Sequence, residues 1–444
     1  MTFSFLYLLC CLLAGIGIIV LLTTRYRVTA FFALIIASFV VGLGMGMPLA
    51  EVLQTVKDGF GNILKSLALI IILGTVLGTL LEYTGSTRVM ASYILRKVGE
   101  RRSALAMSLT GFIVGLPIFC DSGYIVLSGL NNSLAKRTGI SIAIMAVSLA
   151  TGLYAIHCMI PPHPGAAAAA GIIQVDVGRL VLFGIVVAVP AMIAGHLWAS
   201  YAGKKAHVIA DDTNHIEITD NQPGPSVIRS FMPILIPILL IAIKSFFTVD
   251  PLVTGKWIQV VLMAGDPVIA LTIGILLAFN SKRGWEKDTV SKLLHDGVEK
   301  AGSILLIIGS GGAFGAVLAA AKIGEQFSEA LPLASLGLLF PFLITFIIKT
   351  AQGSSTVAII TAASIVLPLL PALGMDNEKG HLLAVLAMGA GSMMISHAND
   401  AYFWVIAKFS GLDMRTMLRV YSTATLVMGL TSLLVVYVLS LLLQ

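Results

Sequence analysis

Charged side chains are scarce in this sequence of 444 residues. Only 11% of the residues are Asp, Glu, Lys or Arg, and 57% are hydrophobic, whereas a typical soluble domain carries about 25% charged residues. A soluble chain of this length would need more charge on its surface, so soluble enzymes and nucleic-acid-binding proteins are excluded. Apolar runs recur along the chain, each of about 20 residues and long enough to cross a bilayer. The sequence therefore predicts an all-α polytopic membrane protein.

Cysteine is rare as well. The four cysteines are Cys10, Cys11, Cys120 and Cys158, and they lie in apolar stretches without metal-ligand spacing. We therefore expect neither disulfides nor a metal site. The sequence also lacks a Walker loop and a haem-binding pair, so we expect no cofactor. The N-terminus has no charged n-region and no small-residue cleavage site, so residues 3–23 are interpreted as a retained first span.

Long polar segments are missing except at residues 203–226, which we interpret as a cytoplasmic linker between two halves, 1–202 and 227–444. Each half contains one apolar run that is too long for one helix and too short for two crossings. These runs are residues 103–135 and 334–370, and each arm spans about 20 Å at 1.5 Å per residue, short of the ~30 Å hydrocarbon core. Both runs are predicted to be re-entrant hairpins.

Two further apolar runs are predicted to be broken helices. Residues 139–173 are interrupted by a segment that contains Pro161-Pro162, and residues 381–407 are interrupted at Ser396-His397-Ala398-Asn399-Asp400. A continuous helix cannot accommodate the proline pair, because proline lacks the N–H donor and clashes with the preceding turn. We expect both breaks to lie at the midplane of the membrane.

The two halves are predicted to be inverted repeats of five spans and one hairpin each. Matching landmarks, such as Gly74-x-x-x-Gly78 and Gly311-x-x-x-Gly315, recur at offsets of 233 to 240 residues, which indicates an internal duplication. Clustered Lys and Arg residues fit the positive-inside rule under one assignment, with ten spans and both termini outside. Because each half has an odd number of spans, the second half is predicted to have the opposite orientation in the membrane. Inverted repeats with broken helices are typical of secondary transporters.

Polar residues at membrane depth are expensive and are by default functional. Here they cluster at the two hairpin tips and the two helix breaks, and each interruption begins a half-helix with free N–H groups. We expect Asp121 and Ser122 to cap one half-helix, Ser354 and Ser355 a second, and Asn399 and Asp400 a third, with Pro164 in the first turn of a fourth. Helix N-termini that converge on one cavity favour a small anion such as a carboxylate. The alternative is that these residues only satisfy the broken backbone.

The predicted substrate site takes its residues from all four interruptions. They are Ser122, Gly123, His157, His163, Lys349, Gln352, Gly353, Ser354, Ser355, Thr356, His397 and Asn399.

Charge in this site decides which residues could couple transport to protons. A neutral imidazole of His157 or His397 could donate to a substrate hydroxyl, or either histidine could simply pack within a helix. Lys349 could pair with the substrate carboxylate, with Asp121 or with Asp400, or it could extend towards the membrane surface. An ionised Asp beside an anionic substrate is repulsive, and protonation removes the repulsion. Asp121 and Asp400 are therefore the candidate proton-coupling residues, with Asp121 favoured.

Four segments resemble the gluconate permease (GntP) family of the ion transporter superfamily. They are GLPIFCDSGYIVL, HCMIPPHPGAAAAAG, KTAQGSSTVAIIT and SHANDAYFW. The resemblance implies uptake of a sugar acid, hydroxy acid or amino acid with protons across the bacterial inner membrane, by a homodimer with a scaffold and a moving transport domain. The sequence departs from the family at Asp121-Ser122-Gly123, where many relatives have an acidic residue followed by Val-Gly. A shorter hydroxy acid such as glycerate is therefore an alternative substrate.

Other functions remain open at this point. Lactate or D-serine could be the substrate, Na⁺ could be the coupling ion, and a passive channel could use the same spans. An intramembrane Ser–His protease is a remote alternative, because Cys120 stands where a nucleophile turn around Ser122 would need glycine. We expect no catalytic residues and no enzyme activity.

Overall fold

The computed structural model of the protein describes residues 5–204, 224–247, 256–282, 284–321 and 335–443. Every regular element in these ranges is a helix, which confirms the predicted all-α class. Most of the predicted linker, residues 205–223, lies outside the described residues. In the first half the helices are α1 (Phe5–Thr24), α2 (Ala30–Gly44), α3 (Leu49–Tyr83), α4 (Ser86–Val98), α5 (Ser103–Val114), α6 (Cys120–Thr138), α7 (Ile142–Met159), α8 (Pro164–Ile173) and α9 (Val177–Gly203).

The second half presents helices of similar lengths in a similar order. They are α10 (Val227–Phe247), α11 (Lys256–Ala264), α12 (Pro267–Phe279), α13 (Lys287–Ala320), α14 (Leu339–Gln352), α15 (Ser355–Val366), α16 (Glu378–Met393), α17 (Ala401–Ser410) and α18 (Thr423–Leu442). Helix α12 begins with Asp266 as N-cap, whose carboxylate accepts from the Val268 amide at 3.0 Å, and with Pro267 in its first turn. An N-cap aspartate followed by proline is typical of a helix start.

Long apolar helices dominate the described residues. Six helical segments are long and apolar enough to cross a membrane, and shorter apolar helices accompany them. The six are Leu49–Tyr83, Ile142–Ile173, Val177–Gly203, Val227–Lys244, Lys287–Ala320 and Met414–Leu442. The other four predicted spans correspond to α1, α2, α12 and the interrupted pair α16 and α17. The total of ten crossings stays a prediction.

The two longest helices differ from the sequence prediction. The sequence suggests an amphipathic stretch at 49–65 followed by a separate span at 66–82, but α3 is one continuous helix of 35 residues. Helix α13 likewise joins 287–300 and 301–320 into one helix of 34 residues. No proline interrupts either segment, so the backbone hydrogen bonds continue while the side chains change from amphipathic to apolar. Each helix is therefore about 50 Å long at 1.5 Å per residue.

Helices α3 and α13 pack along each other. At their crossing, a Cβ atom on Gly59 would lie only 2.7 Å from the Gly312 carbonyl oxygen and from the Ala316 side chain. Such distances are too short for any larger residue, so glycine is what allows the close approach. Helix α8 packs against both α3 and α13, and α15 packs against α13. Helices α8 and α15 each begin at one of the interruptions.

Candidate functional site

The chain is interrupted at residues 115–119, 160–163, 353–354 and 394–400, between pairs of helices. We call these four segments together with the flanking turns the polar centre. Residues 115–119 contact 160–163, because the Nε2–H of His163 donates to the Gly115 carbonyl oxygen at 2.7 Å. The rings of Phe119 and His163 are also 6.1 Å apart. The first hairpin tip and the first helix break therefore meet.

Two further contacts join the first half to the second. The Nε2 atom of His157 lies 3.5 Å from Thr356 Oγ1, and a Cβ atom on Gly165 would lie 3.3 Å from the Cα atom of Thr356. Within the second half, the Nε2–H of His397 donates to the Thr350 carbonyl oxygen at 3.1 Å. All four interruptions thus meet in one region, although the sequence separates them by up to 280 residues.

Helix α6 begins differently from the prediction. Its N-cap is Phe119, which supplies no side-chain acceptor, and the helix starts at Cys120. Asp121 and Ser122 therefore do not cap the helix but lie in its first turn. A carboxylate in the first turn still interacts favourably with the positive end of the helix dipole. Asp121 is half-buried, and the one side-chain hydrogen bond it makes among the described residues is with Cys120 Sγ, at 3.9 Å.

Helix α15 begins as predicted. Gly353 has a φ of +86°, which favours glycine, and a side chain there would collide with the backbone of Asn399. Ser354 is the N-cap, and its Oγ accepts from the Val357 amide at 3.3 Å. Ser355 is buried as the first residue of the helix. The second hairpin tip is therefore a tight turn held by one glycine and one serine.

The last interruption separates the roles of two neighbouring residues. Asp400 is the N-cap of α17 and accepts from the Tyr402 amide at 3.0 Å, as predicted. Asn399 does not cap the helix. Its Nδ2 group instead donates to the carbonyl oxygens of Thr350, at 2.8 Å, and Ala351, at 3.3 Å. Asn399 therefore fastens the second helix break to the second hairpin tip. Pro164 lies in the first turn of α8, with His163 as N-cap.

A buried ion pair lies beside the second tip. Lys349 is fully buried, and its Nζ lies 2.7 Å from Asp400 Oδ2. Ser396 Oγ donates to the same carboxylate oxygen at 2.5 Å, and Lys349 Nζ also donates to the Gly353 carbonyl oxygen. Of the partners that the sequence left open for Lys349, the structure therefore supplies Asp400. The sequence analysis did not identify Ser396, although Ser396 belongs to the same polar segment as Asp400.

Several polar atoms near the second tip are buried without a hydrogen-bond partner among the described residues. They are His157 Nδ1, Thr350 Oγ1 and both amide atoms of Gln352. A buried polar group without a partner costs about 1–3 kcal/mol, so native proteins almost always pair such groups. The described residues therefore leave the hydrogen-bonding capacity of these atoms unsatisfied.

An aromatic cluster, which the sequence analysis did not identify, forms one wall of the polar centre. The Tyr154 ring stacks against His157 at 6.3 Å and against Tyr402 at 5.7 Å. The rings of Tyr124 and Tyr421 each lie 6.1 Å from Tyr402 in edge-to-face geometry. These residues come from four separate helical segments, so no local sequence pattern reveals them.

One cavity lies at the ends of α8 and α15 away from the interruptions, and a second reaches the polar centre. A cavity of about 480 Å³ is bounded by α3, α13 and the C-terminal end of α8, and its polar side chains are Asn62, Ser66 and Gln174. A much smaller cavity, of about 10 Å³, reaches the first tip at Ser122 and also contacts Glu82. Neither cavity is lined by Lys349 or Asp400. Within the described ranges, no three His, Cys, Asp or Glu side chains are grouped so that they could hold a metal ion.

The chain is similar to known permeases over almost its whole length. A model of the GntP family permeases matches residues 7–442. The gluconate permease of Pseudomonas aeruginosa is 33% identical, with 98% of each chain covered. The high-affinity gluconate transporter of Escherichia coli K12 is 32% identical, with 92% of this chain and 93% of the relative covered. The D-serine transporter DsdX of the same strain is 29% identical, with 97% of each chain covered.

A solved structure shares the fold. The crystal structure of the YdaH transporter of Alcanivorax borkumensis, which reveals an unusual topology, superposes with a TM-score of 0.64 and 16% sequence identity. The superposition covers 86% of this chain and 88% of that one. This similarity concerns the fold alone.

Proposed function

The chain belongs to the GntP permease family, and from that premise we propose that it is a secondary active transporter that imports a small sugar acid or hydroxy carboxylate together with protons. Its relatives are permeases and transporters rather than enzymes. Membership in this family accounts for the apolar helices and makes a transported gluconate-type anion the first choice of substrate. Beyond family membership, we propose the direction of transport (import), the coupling to protons and the position of the substrate site.

The unpartnered polar atoms at the second hairpin tip carry the proposal for the site. Gln352 presents both an amide donor and an amide acceptor, while His157 Nδ1 and Thr350 Oγ1 lie in the same region. A polyhydroxy carboxylate offers several donors and acceptors on adjacent carbons, and it would pair with these atoms at once. The residues proposed to bind it directly are Ser122, Gln352, Ser355, Thr356 and His157. His163, His397, Gly353, Ser354 and Asn399 shape the site through the backbone.

The distribution of charge supports proton coupling through Asp121. Asp400 and Lys349 neutralise each other at 2.7 Å, so the pair adds no net charge to the site. Asp121 has no cationic partner among the described residues and is half-buried. An anionic substrate near an ionised Asp121 would be repelled, and binding of one proton would remove that repulsion. Proton binding and substrate binding would thereby favour each other.

The geometry of the helices supports the proposed inverted repeat. Helices α3 and α13 begin at Leu49 and Lys287, 238 residues apart, and have 35 and 34 residues. The interrupted pairs α5–α6 and α7–α8 correspond in order to α14–α15 and α16–α17. We propose the boundaries 1–202 and 227–444 for the two repeats, in a homodimer in the bacterial inner membrane. Both termini would then be periplasmic.

Accumulation of substrate in proteoliposomes tests the proposed function. Purified protein would be reconstituted with radiolabelled gluconate outside and a pH gradient, acidic outside. Accumulation above the equilibrium level is expected, and a protonophore should abolish it. A Na⁺ gradient without a pH gradient should give no accumulation. Equilibration without accumulation under either gradient would contradict secondary active transport and indicate a passive channel.

The same assay ranks the alternative substrates. Unlabelled gluconate, glycerate, lactate and D-serine would be added as competitors at equal concentrations. Because relatives of this chain include both gluconate transporters and a D-serine transporter, both classes must be compared. Stronger competition by glycerate than by gluconate would favour the shorter hydroxy acid that Ser122 could accommodate.

A further inference from the structure

A row of polar side chains, which we call the polar seam, lies on α6 between Asp121 and the C-terminal end of the helix. Tyr124, Ser128 and Asn131 follow one another at spacings of four and three residues, so they lie on one face of the helix. Their exposed fractions are 0%, 4% and 0%. The seam runs about 15 Å from Asp121 to Asn131 at 1.5 Å per residue, in the direction of the basic end of the helix at Arg137.

Most polar atoms of this seam have no protein partner. The hydroxyl oxygen of Tyr124 and both amide atoms of Asn131 are buried without a hydrogen-bond partner among the described residues, and so is Oδ1 of Asn132. Such atoms in native proteins bind ordered water, which typically makes about three hydrogen bonds. Four unpartnered atoms on two helical turns therefore point to a row of water molecules rather than a dry interface.

The opposite wall of the seam is α17, which begins at the ion-paired Asp400. The rings of Tyr124 and Tyr402 are in contact at 6.1 Å, and the Tyr124 hydroxyl lies near Ser410 at the end of α17. Farther down, Asn132 Nδ2 donates to the Phe409 carbonyl oxygen at 2.9 Å. The titratable groups that interact with Asp121 at the top of the seam are Cys120 and Asp400.

By their order in the chain, α15 of the second hairpin corresponds to α6, and α8 of the first break corresponds to α17. The contact between α15 and α8 is much less polar than the contact between α6 and α17. Helix α8 packs against α15 and contains the five consecutive alanines Ala166–Ala170, all buried. On α15, Thr361 has a buried hydroxyl without a partner, whereas Ser364 donates to the Gly311 carbonyl oxygen at 2.6 Å. The polar seam is therefore a feature of the α6–α17 side and not a general property of the interrupted helices.

We propose that this seam is a water-filled proton route that connects Asp121 to the end of α6. The inference rests on the proposed function, since it takes Asp121 as the proton-coupling group. The O–H bond of protonated Asp121 breaks as its proton passes to the first water. Each water then accepts one proton and gives up one, and the last proton enters bulk water beside Arg137. Asp121 is left as a carboxylate.

Asn131→Leu tests the route, since leucine has a similar volume but cannot hydrogen-bond. In proteoliposomes, a pH-sensitive dye would measure proton movement after gluconate is added, and counterflow would measure gluconate exchange, which needs no net proton movement. Proton movement should fall about tenfold, the loss expected when one hydrogen-bonding position is removed, while exchange stays near the wild-type rate. The matched control is Thr361→Val, which removes an unpartnered buried hydroxyl from the dry side and should change neither rate.

The outcomes separate this inference from the proposed function. Wild-type protein that moves no protons with gluconate would refute the proposed function, whatever the variants do. If wild-type protein is coupled and Asn131→Leu moves protons at the wild-type rate, the route is wrong. If Asn131→Leu loses exchange as well, Tyr124→Phe decides, because it removes one unpartnered oxygen and adds no volume. Slow proton movement with intact exchange in that variant supports the route, and normal proton movement refutes it.

Discussion

At the level of single residues, the two aspartates of the polar centre have different surroundings. Asp400 is buried, caps a helix, accepts from Ser396 and pairs with Lys349. Asp121 lies in the first turn of α6 and contacts only the weak donor Cys120 among the described side chains. The Asp400 carboxylate therefore already holds three partners, whereas Asp121 has no cation beside it among the described residues. Asp121 thus stays the proposed proton-coupling residue.

Asp121→Asn should abolish accumulation of substrate driven by a pH gradient. The neutral amide imitates the protonated carboxyl group, so the substrate can still bind, but the variant cannot release a proton. Substrate exchange across the proteoliposome membrane should stay within about threefold of wild type, less than the loss of one hydrogen bond would cause.

The control for this prediction is Asp413→Asn, an exposed N-cap at Met414–Met417 far from the polar centre. It should retain both accumulation and exchange. A variant Asp121→Asn that concentrates the substrate with the wild-type dependence on pH would assign the coupling to another residue.

Two further residues should affect substrate affinity. Ser354→Ala removes the N-cap of α15, and Asn399→Ala releases the second hairpin tip from the second helix break. Each change should weaken substrate binding about ten- to hundredfold, because about 1.5–3 kcal/mol of hydrogen bonding or capping is lost at the site.

Isothermal titration of the purified variants measures this effect. The control is Ser303→Ala, an exposed serine on α13 that donates only to the Lys300 carbonyl oxygen. If Ser354→Ala and Asn399→Ala both bind the substrate with wild-type affinity, the site lies elsewhere.

At the level of helices, the ion pair between Lys349 and Asp400 joins α14 to α17. Lys349→Met should lower the stability of the protein by about 3–5 kcal/mol, because it leaves a buried carboxylate without its cation. The double variant Lys349→Met/Asp400→Asn should lose less, since no buried charge is left and the asparagine can still cap α17. Thermal unfolding in detergent would rank the variants by apparent Tm.

The comparison pair for this prediction is Arg179 and Glu378, which also joins two helices, at 2.6 Å, but with Glu378 81% exposed. Glu378→Gln should change the stability by about 0–1 kcal/mol because solvent screens the charges. Equal losses of Tm in Lys349→Met and Glu378→Gln would mean that the buried ion pair contributes no more to stability than the exposed one.

The helix interruptions could be predicted from the sequence because their causes are local. Pro161-Pro162 cannot continue α7, and Gly353 provides the positive φ of the second tip. Capping by Ser354, Asp266 and Asp400 follows from the same short-range chemistry. The first tip was predicted wrongly because α6 starts at Cys120, without a side-chain cap, so Asp121 falls inside the helix.

Contacts between distant residues could not be predicted. Lys349 had several possible partners in the sequence, and only the packing of α14 against the second break selects Asp400, 51 residues away. The aromatic wall of Tyr124, Tyr154 and Tyr402 depends on the same packing. The continuity of α3 was also missed, because a change in amphipathicity does not interrupt backbone hydrogen bonds.

At the level of the whole molecule, the proposed inverted repeat predicts that the two hairpins enter from opposite sides of the membrane. In a background without the native cysteines, Lys136→Cys at the end of α6 should react with an impermeant thiol reagent only from the cytoplasmic side. Leu336→Cys, next to the start of α14 and 39% exposed, should react only from the periplasmic side.

Labelling of intact cells, inverted membrane vesicles and permeabilised membranes distinguishes the two sides. Permeabilised membranes provide the control, since both cysteines should react there. Reaction of both positions from the same side would refute the inverted orientation, while leaving the four interruptions as described.

If Asp121 is the proton-coupling residue, as proposed, its charge also determines how transport responds to membrane voltage. If one proton neutralises Asp121 and accompanies one monoanion, no net charge crosses the membrane and the transport rate is indifferent to voltage. A zwitterion such as D-serine, carried by the same cycle, would move one positive charge inward, and each 100 mV of inside-negative potential would add about 2.3 kcal/mol of driving force. The voltage response of a transport current would therefore report the charge of the substrate without any knowledge of its structure.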